Sequence, residues 1–165
     1  SQLRSNEIAG AILREQLKKL DNILSDLRRI KKAFMNCFEG EKNIRFIRSN
    51  DIEGDCGTTV GFLFESEAQA RKFAESEGVN GTVLVDSKKH VYFDWDPIMN
   101  KRGSHHPALD PFNLPQNKDL NMNYSPDMCP KTTDILSRTV VVGMNPDWTE
   151  ADIMAKAEVC IKAAK

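Results

Sequence analysis

An apolar stripe running through the first forty residues constrains this chain more than any other feature. Ile8, Ile12, Leu13, Leu17, Leu20, Leu24, Leu27, Ile30, Phe34 and Phe38 follow one another in steps of mostly three and four, which places them on one face of an α-helix. Lys, Arg, Asp and Glu fill the opposite face. The spacing predicts one long helix over residues 1–39, stopped by Gly40. Such a stripe must be covered, either by a sheet of the same chain or by a partner. It spans about four heptads but is interrupted at Gln16 and Lys31. A helix packed on its own sheet, with room for a partner, therefore fits better than a free coiled coil.

At 165 residues the chain has enough apolar material for one core and about one domain. The 23 basic and 24 acidic side chains leave a net charge of -1, so no positive field favours nucleic acid or anionic lipid. Apolar runs reach neither the length of a membrane span nor the pattern of a signal segment, and a cytoplasmic location is expected. Cys37, Cys56, Cys129 and Cys160 are widely spaced with no C-x-x-C pair. They read as reduced structural thiols, and no metal site is expected.

Downstream, Ile44–Ile47 alternates like a strand, and Asn50–Thr58 is a turn rich in breakers. Thr59–Phe64 reads as a strand covered on both faces. Ser66 and Gln69 form a capping box for a helix to about Ser76. Thr82–Val85 and His90–Phe93 read as a hairpin joined through Asp86–Lys89. Between residues 94 and 130 the pattern dissolves, and six of the seven prolines fall there. A loop over 94–129 of this length is expected to be functional or to pack on a missing neighbour. A short helix from Pro130 to Leu136, a strand over Thr139–Met144 and a capped helix from Thr149 complete the chain. The predicted class is α+β: a long N-terminal helix and a small, mostly antiparallel sheet with helices on one face.

Gly61-Phe62-Leu63-Phe64 has the aromatic spacing of an RNA-stacking strand, but its acidic flanks and the lack of a basic patch argue against RNA. Arg102, His105 and His106 form the densest group of reactive side chains. Neighbouring histidines on extended backbone point apart, which disfavours a shared metal. A solvated loop, or an active-site edge meeting an anionic or hydroxyl-rich ligand, remains. No nucleophile motif, phosphate loop or paired acid and base is visible, so no catalytic residue is assigned.

Three blocks, in order and spread over nearly the whole chain, resemble the DegT/StrS family of sugar aminotransferases that use pyridoxal phosphate (PLP). At the helix entry, Arg4, Glu7, Ile8, Ala11, Gln16, Leu17, Leu20 and Asp21 are similar to the family's N-x-R-M-x-E-I-x-A-A and Q-L-x-x-L-D pattern. His105-His106-Pro107-Ala108-Leu109-Asp110-Pro111-Phe112 resembles the loop beside the family's active site. Cys129-Pro130, Leu136, Val140 to Met144, Pro146, Thr149-Glu150 and Asp152 resemble its C-terminal ending. The resemblance implies a C-terminal small domain of a PLP enzyme that transfers an amino group from glutamate or glutamine to a keto-sugar, often nucleotide-linked. It implies a homodimer, a large PLP-binding domain upstream of this chain, and a cofactor-anchoring lysine in that domain. Gln2 stands where the family has an asparagine directed at the partner's PLP phosphate, and Arg4 belongs to the same entry motif. Both are expected to bind cofactor, and Arg102, His105 and His106 to bind substrate. The alternative is a free-standing α+β module that dimerises through its first helix without catalysis.

Overall fold

The computed structural model describes residues 6–88 and 91–165. It is an α+β fold whose three strands, β1 (Thr59–Leu63), β2 (Gly81–Val83) and β3 (Thr139–Gly143), form an antiparallel sheet in the order β1-β3-β2. Val60 lies opposite Val142, and Phe62 and Val83 both lie opposite Val140. β-branched residues suit this central strand, because both neighbours and the helical layer press on it. Val60, Phe62, Val140 and Val142 supply the sheet's side of the core.

The helical side comes from α2 (Leu20–Asn36), α3 (Glu67–Glu75) and α6 (Glu150–Ala163). α2 buries Leu27, Ile30 and Phe34, α3 buries Ala70 and Phe73, and α6 buries Ile153, Ala157 and Cys160. Phe62 is the hinge of this packing, with ring centroids 6.4 Å from Phe34, 5.7 Å from Phe38 and 4.9 Å from Phe73. Each such side chain contributes roughly 1.5–3 kcal/mol by leaving water. Phe62 is therefore structural: fully buried, it has no face to offer a nucleic-acid base.

α3 and α6 begin where the local chemistry places them. Ser66 with Gln69, and Thr149 with Asp152, each make both bonds of a capping box. α5 (Pro130–Ser137) starts on its proline, which needs no N–H partner in the first turn.

The predicted single long helix is two. α1 (Glu7–Leu17) ends at Lys18–Lys19, and α2 begins at Leu20. The Lys19 N–H donates to the Gln16 carbonyl at 3.0 Å, a tighter step than an α-helix makes. α1 contributes no buried residue, so no packing enforces strict α-helical bonding through Lys18 and Lys19, which nonetheless keep right-handed helical backbone across the step. α2 in turn is clasped by the 51–57 loop. Arg28 Nε donates to the Asp55 carbonyl at 2.7 Å and Lys31 Nζ to its carboxylate at 2.6 Å. Gly57 has φ +74°, and a Cβ there would lie 2.7 Å from the Leu27 carbonyl carbon and the Arg28 nitrogen.

Two predicted strands are not strands. Ile44–Ile47 makes one isolated bridge, Phe46 to Phe62. Of the predicted hairpin, Thr82 and Val83 lie in β2, but the chain then makes a 3₁₀ turn at Leu84–Ser87 and another at Tyr92–Asp94, with Lys88 left-handed at φ +58°. Residues 89 and 90 lie outside the described residues. Long-range bonds override the local alternation: Arg71 holds Asp86, and the Tyr92 hydroxyl donates to the Pro126 carbonyl while accepting from the Cys129 N–H. The segment 94–129 is irregular as expected, apart from the one-turn helix α4 (Asp96–Met99) and 3₁₀ turns at Pro107–Leu109 and Pro115–Asn117. Among the described residues no helix is long and apolar enough to cross a membrane.

Candidate functional site

A half-open cleft of about 780 Å³ lies between α3, the Leu84–Ser87 turn, α5 and the anchored end of the irregular segment. Its polar lining is Glu67, Arg71, Asp86, Lys88, Asp94, Asp127 and Asp134, with Phe93, Pro126 and Pro130 among its apolar walls. Arg71 lines it and is the most fully bonded of these side chains. Its Nη1 donates to Asp86 Oδ2 at 2.7 Å and its Nε to Glu67 Oε1 at 2.8 Å. The hydrogen bonds to Asp86 and then Glu67 hold the guanidinium firmly protonated. Asp134 accepts from Arg138 at 2.8 Å, and that bond keeps its carboxyl below the usual range. Arg138 also donates to the Phe64 carbonyl at 2.8 Å, tying α5 to the end of β1.

Carboxylates dominate this cleft, and its one well-placed guanidinium is already shared by two of them. The donor set suits hydroxyls or an ammonium group and opposes a phosphate. The described residues therefore do not fit PLP there. Lys156 is no better an anchor: its Nζ donates to the Gly78 and Val79 carbonyls at 2.8 and 2.6 Å, bracing the end of α3 on α6. Burial lowers the pKa of that amine. Gln2 and Arg4, expected at the cofactor, lie outside the described residues.

The three expected substrate residues, Arg102, His105 and His106, do not line the cleft, and all three are exposed. Arg102 pairs with Asp96 across the end of α4. His106 caps the Pro107–Leu109 turn, its Nδ1 accepting from the Ala108 N–H at 3.2 Å. In the neutral ring the proton then sits on Nε2, which leaves an outward donor. His105 is exposed beside it. The loop that carries them is organised by buried Asp110, whose Oδ1 accepts from the Phe112 N–H at 3.1 Å and whose Oδ2 accepts from the Asn113 amide. A Cβ at Gly103 would collide with the Asp110 carboxylate and displace it from the position that these bonds hold. Asn117 adds a bond to the Pro111 carbonyl at 2.8 Å.

The Arg71 cluster was invisible to pattern reading. Only its Glu67–Arg71 pair, four residues apart on one helix, was available locally. Among the described residues no three His, Cys, Asp or Glu side chains gather as a metal site. No known protein-family model matches the chain.

Proposed function

We propose that the chain is the C-terminal small domain of a PLP-dependent sugar aminotransferase, completed by an upstream domain that holds the cofactor and its lysine. The observation that carries this reading is the colinearity of the three sequence blocks. The geometry is compatible with it at one place that matters. The His105–Phe112 block is an ordered surface loop whose buried Asp110 faces inward while Arg102 and His105 face solvent, available to a substrate seated on a neighbouring domain. In this reading the loop's imidazole and guanidinium donors meet hydroxyl or phosphate groups of the keto-sugar. The test is to express the complete reading frame and look for the visible absorbance of lysine-bound PLP, bleached by borohydride. A purified full-length product that takes up no PLP and has no upstream lysine able to anchor it sinks the proposal.

A second reading has its own observation. α1 buries nothing although its apolar residues repeat at helical spacing, which fits a free-standing module that binds a partner. That reading expects a single unfolding transition for these 165 residues and no stabilisation on adding upstream sequence.

A further inference from the structure

Leu13, Leu17, Leu20, Leu24 and Leu27 follow in steps of four, three, four and three, the alternation of a coiled-coil seam. The far end of this seam enters the core at Leu27. The near end does not: Leu17 is 66% exposed, Leu13 58% and Leu20 43%. Ile23 flanks the seam and is also exposed. One stripe is thus half used by its own fold and half bare.

The charges beside the seam select what covers it. Directly after each of the 6, 13, 20 and 27 positions come Glu7, Arg14, Asp21 and Arg28, alternating in sign. When two identical helices run antiparallel, residues of this class face one another. Placing Leu17 against Leu20 of the second copy, and Leu13 against its Leu24, brings Arg14 to Asp21 of that copy, twice by symmetry, while Arg28, at the position facing Glu7, keeps its bond to the Asp55 carbonyl of its own chain. Both Arg14–Asp21 contacts are between opposite charges. On the other flank Gln16 meets Ile23 of the second copy, with no charge at all. In a parallel pair the same charges would face Ala9, Gln16 and Ile23 and gain nothing. Gly10 would face Leu27 of the other copy, where that leucine is already committed to its own core and only a small residue fits.

We propose that α1 and the first two turns of α2 pair antiparallel with the same segment of a second copy, about a two-fold axis near Lys18. This surface rests on the second-copy partner alone, so its failure leaves the aminotransferase reading standing, and the reverse.

The test is sedimentation velocity of this chain over a wide concentration range, with four variants checked by circular dichroism for unchanged helix content. The wild type is expected to dimerise, and Leu17→Glu to be monomeric; Leu17 is exposed, so this change leaves the core intact. Arg14→Asp and Asp21→Arg should each weaken the dimer, on the order of tenfold, because two attractions become two repulsions. The double exchange Arg14→Asp/Asp21→Arg should restore it. A wild type monomeric at every concentration overturns the proposal and returns the face to an upstream domain or another protein. A dimer indifferent to Leu17→Glu overturns the surface. Failure of the double exchange to rescue overturns the antiparallel register.

Discussion

Asp110→Ala separates the architecture of the histidine loop from that of the core. The substitution removes an acceptor for the Phe112 N–H and another for the Asn113 amide. Carboxylate acceptors are worth up to about 3 kcal/mol each when dry, but the partners here lie close to the surface and water replaces part of each bond, so about 1 kcal/mol apiece is appropriate. The sum, about 2 kcal/mol, corresponds to roughly a 30-fold rise in the local opening constant. Hydrogen exchange is the direct assay: amides over 110–117 should lose that much protection. Those of β3 and α6 should not change, because Asp110 is not part of the apolar cluster of the fold. A urea midpoint lowered in proportion, with loop and core amides affected alike, would refute the idea that the loop is a locally organised unit. Unchanged exchange everywhere would show that the carboxylate is not its organiser.

Gly57→Ala should lower stability by about 2–4 kcal/mol, from the positive φ together with a methyl group driven into the α2 backbone, measurable as a shift in urea midpoint without a change in slope. The Lys31 hydrogen bond, then that of the Gly57 N–H, holds the Asp55 carboxyl below its ordinary value of 3.8. Its stabilising contribution is therefore complete above about pH 5 and disappears as pH falls through the lower folded value, so Asp55→Asn should flatten that part of the acid limb of a stability-versus-pH curve. Burial pushes the Cys160 thiol up to about 11, whereas Cys37 and Cys56 are exposed. Maleimide at pH 8 should label those two first and reach Cys160 only in denaturant, as peptide mapping would reveal. If the complete protein is the aminotransferase proposed, His105→Ala should spare cofactor loading and the amino-donor half-reaction yet lower kcat/KM for the keto-sugar by about 5- to 100-fold, the cost of one or two hydrogen bonds; equal loss in both halves would assign the loop a structural role.

The legible parts of this chain are those whose causes are local. Ser66 with Gln69 and Thr149 with Asp152 announce their helices because the capping bonds span three residues. Thr59–Leu63 and Thr139–Gly143 announce themselves as strands by β-branched and aromatic content. What failed was decided at long range. Thr82–Val85 is a strand only as far as Val83, and its predicted hairpin with His90–Phe93 is not made, because Asp86 is drawn to Arg71 and the Tyr92 hydroxyl to the backbone around Pro126 and Cys129, bonds spanning 15 to 37 residues that no window contains. The same limit explains the site. The 102–106 group was visible because its members are adjacent, whereas the acidic cleft exists only after α3, α5 and two turns converge.

The broken first helix carries this reasoning one step further. Periodicity reports that a face will be covered and is silent about the body that covers it, so Leu13 and Leu27 look alike in the sequence although one is bare and the other buried. Coverage by the chain's own sheet places no demand on the flanking charges, since those residues then point to water. Coverage by a second helix does, because flanking residues of the two helices meet, and repulsion there opposes docking. Asp26 and Arg29 show the undemanding case, pairing with each other on the exposed side of α2. Arg28 is used within its own chain by the Asp55 carbonyl, but the change of sign from Arg14 to Asp21 crosses the Lys18–Lys19 break, where no bond among the described residues of one chain requires it. It therefore distinguishes a face shaped for a like partner from one that is merely apolar.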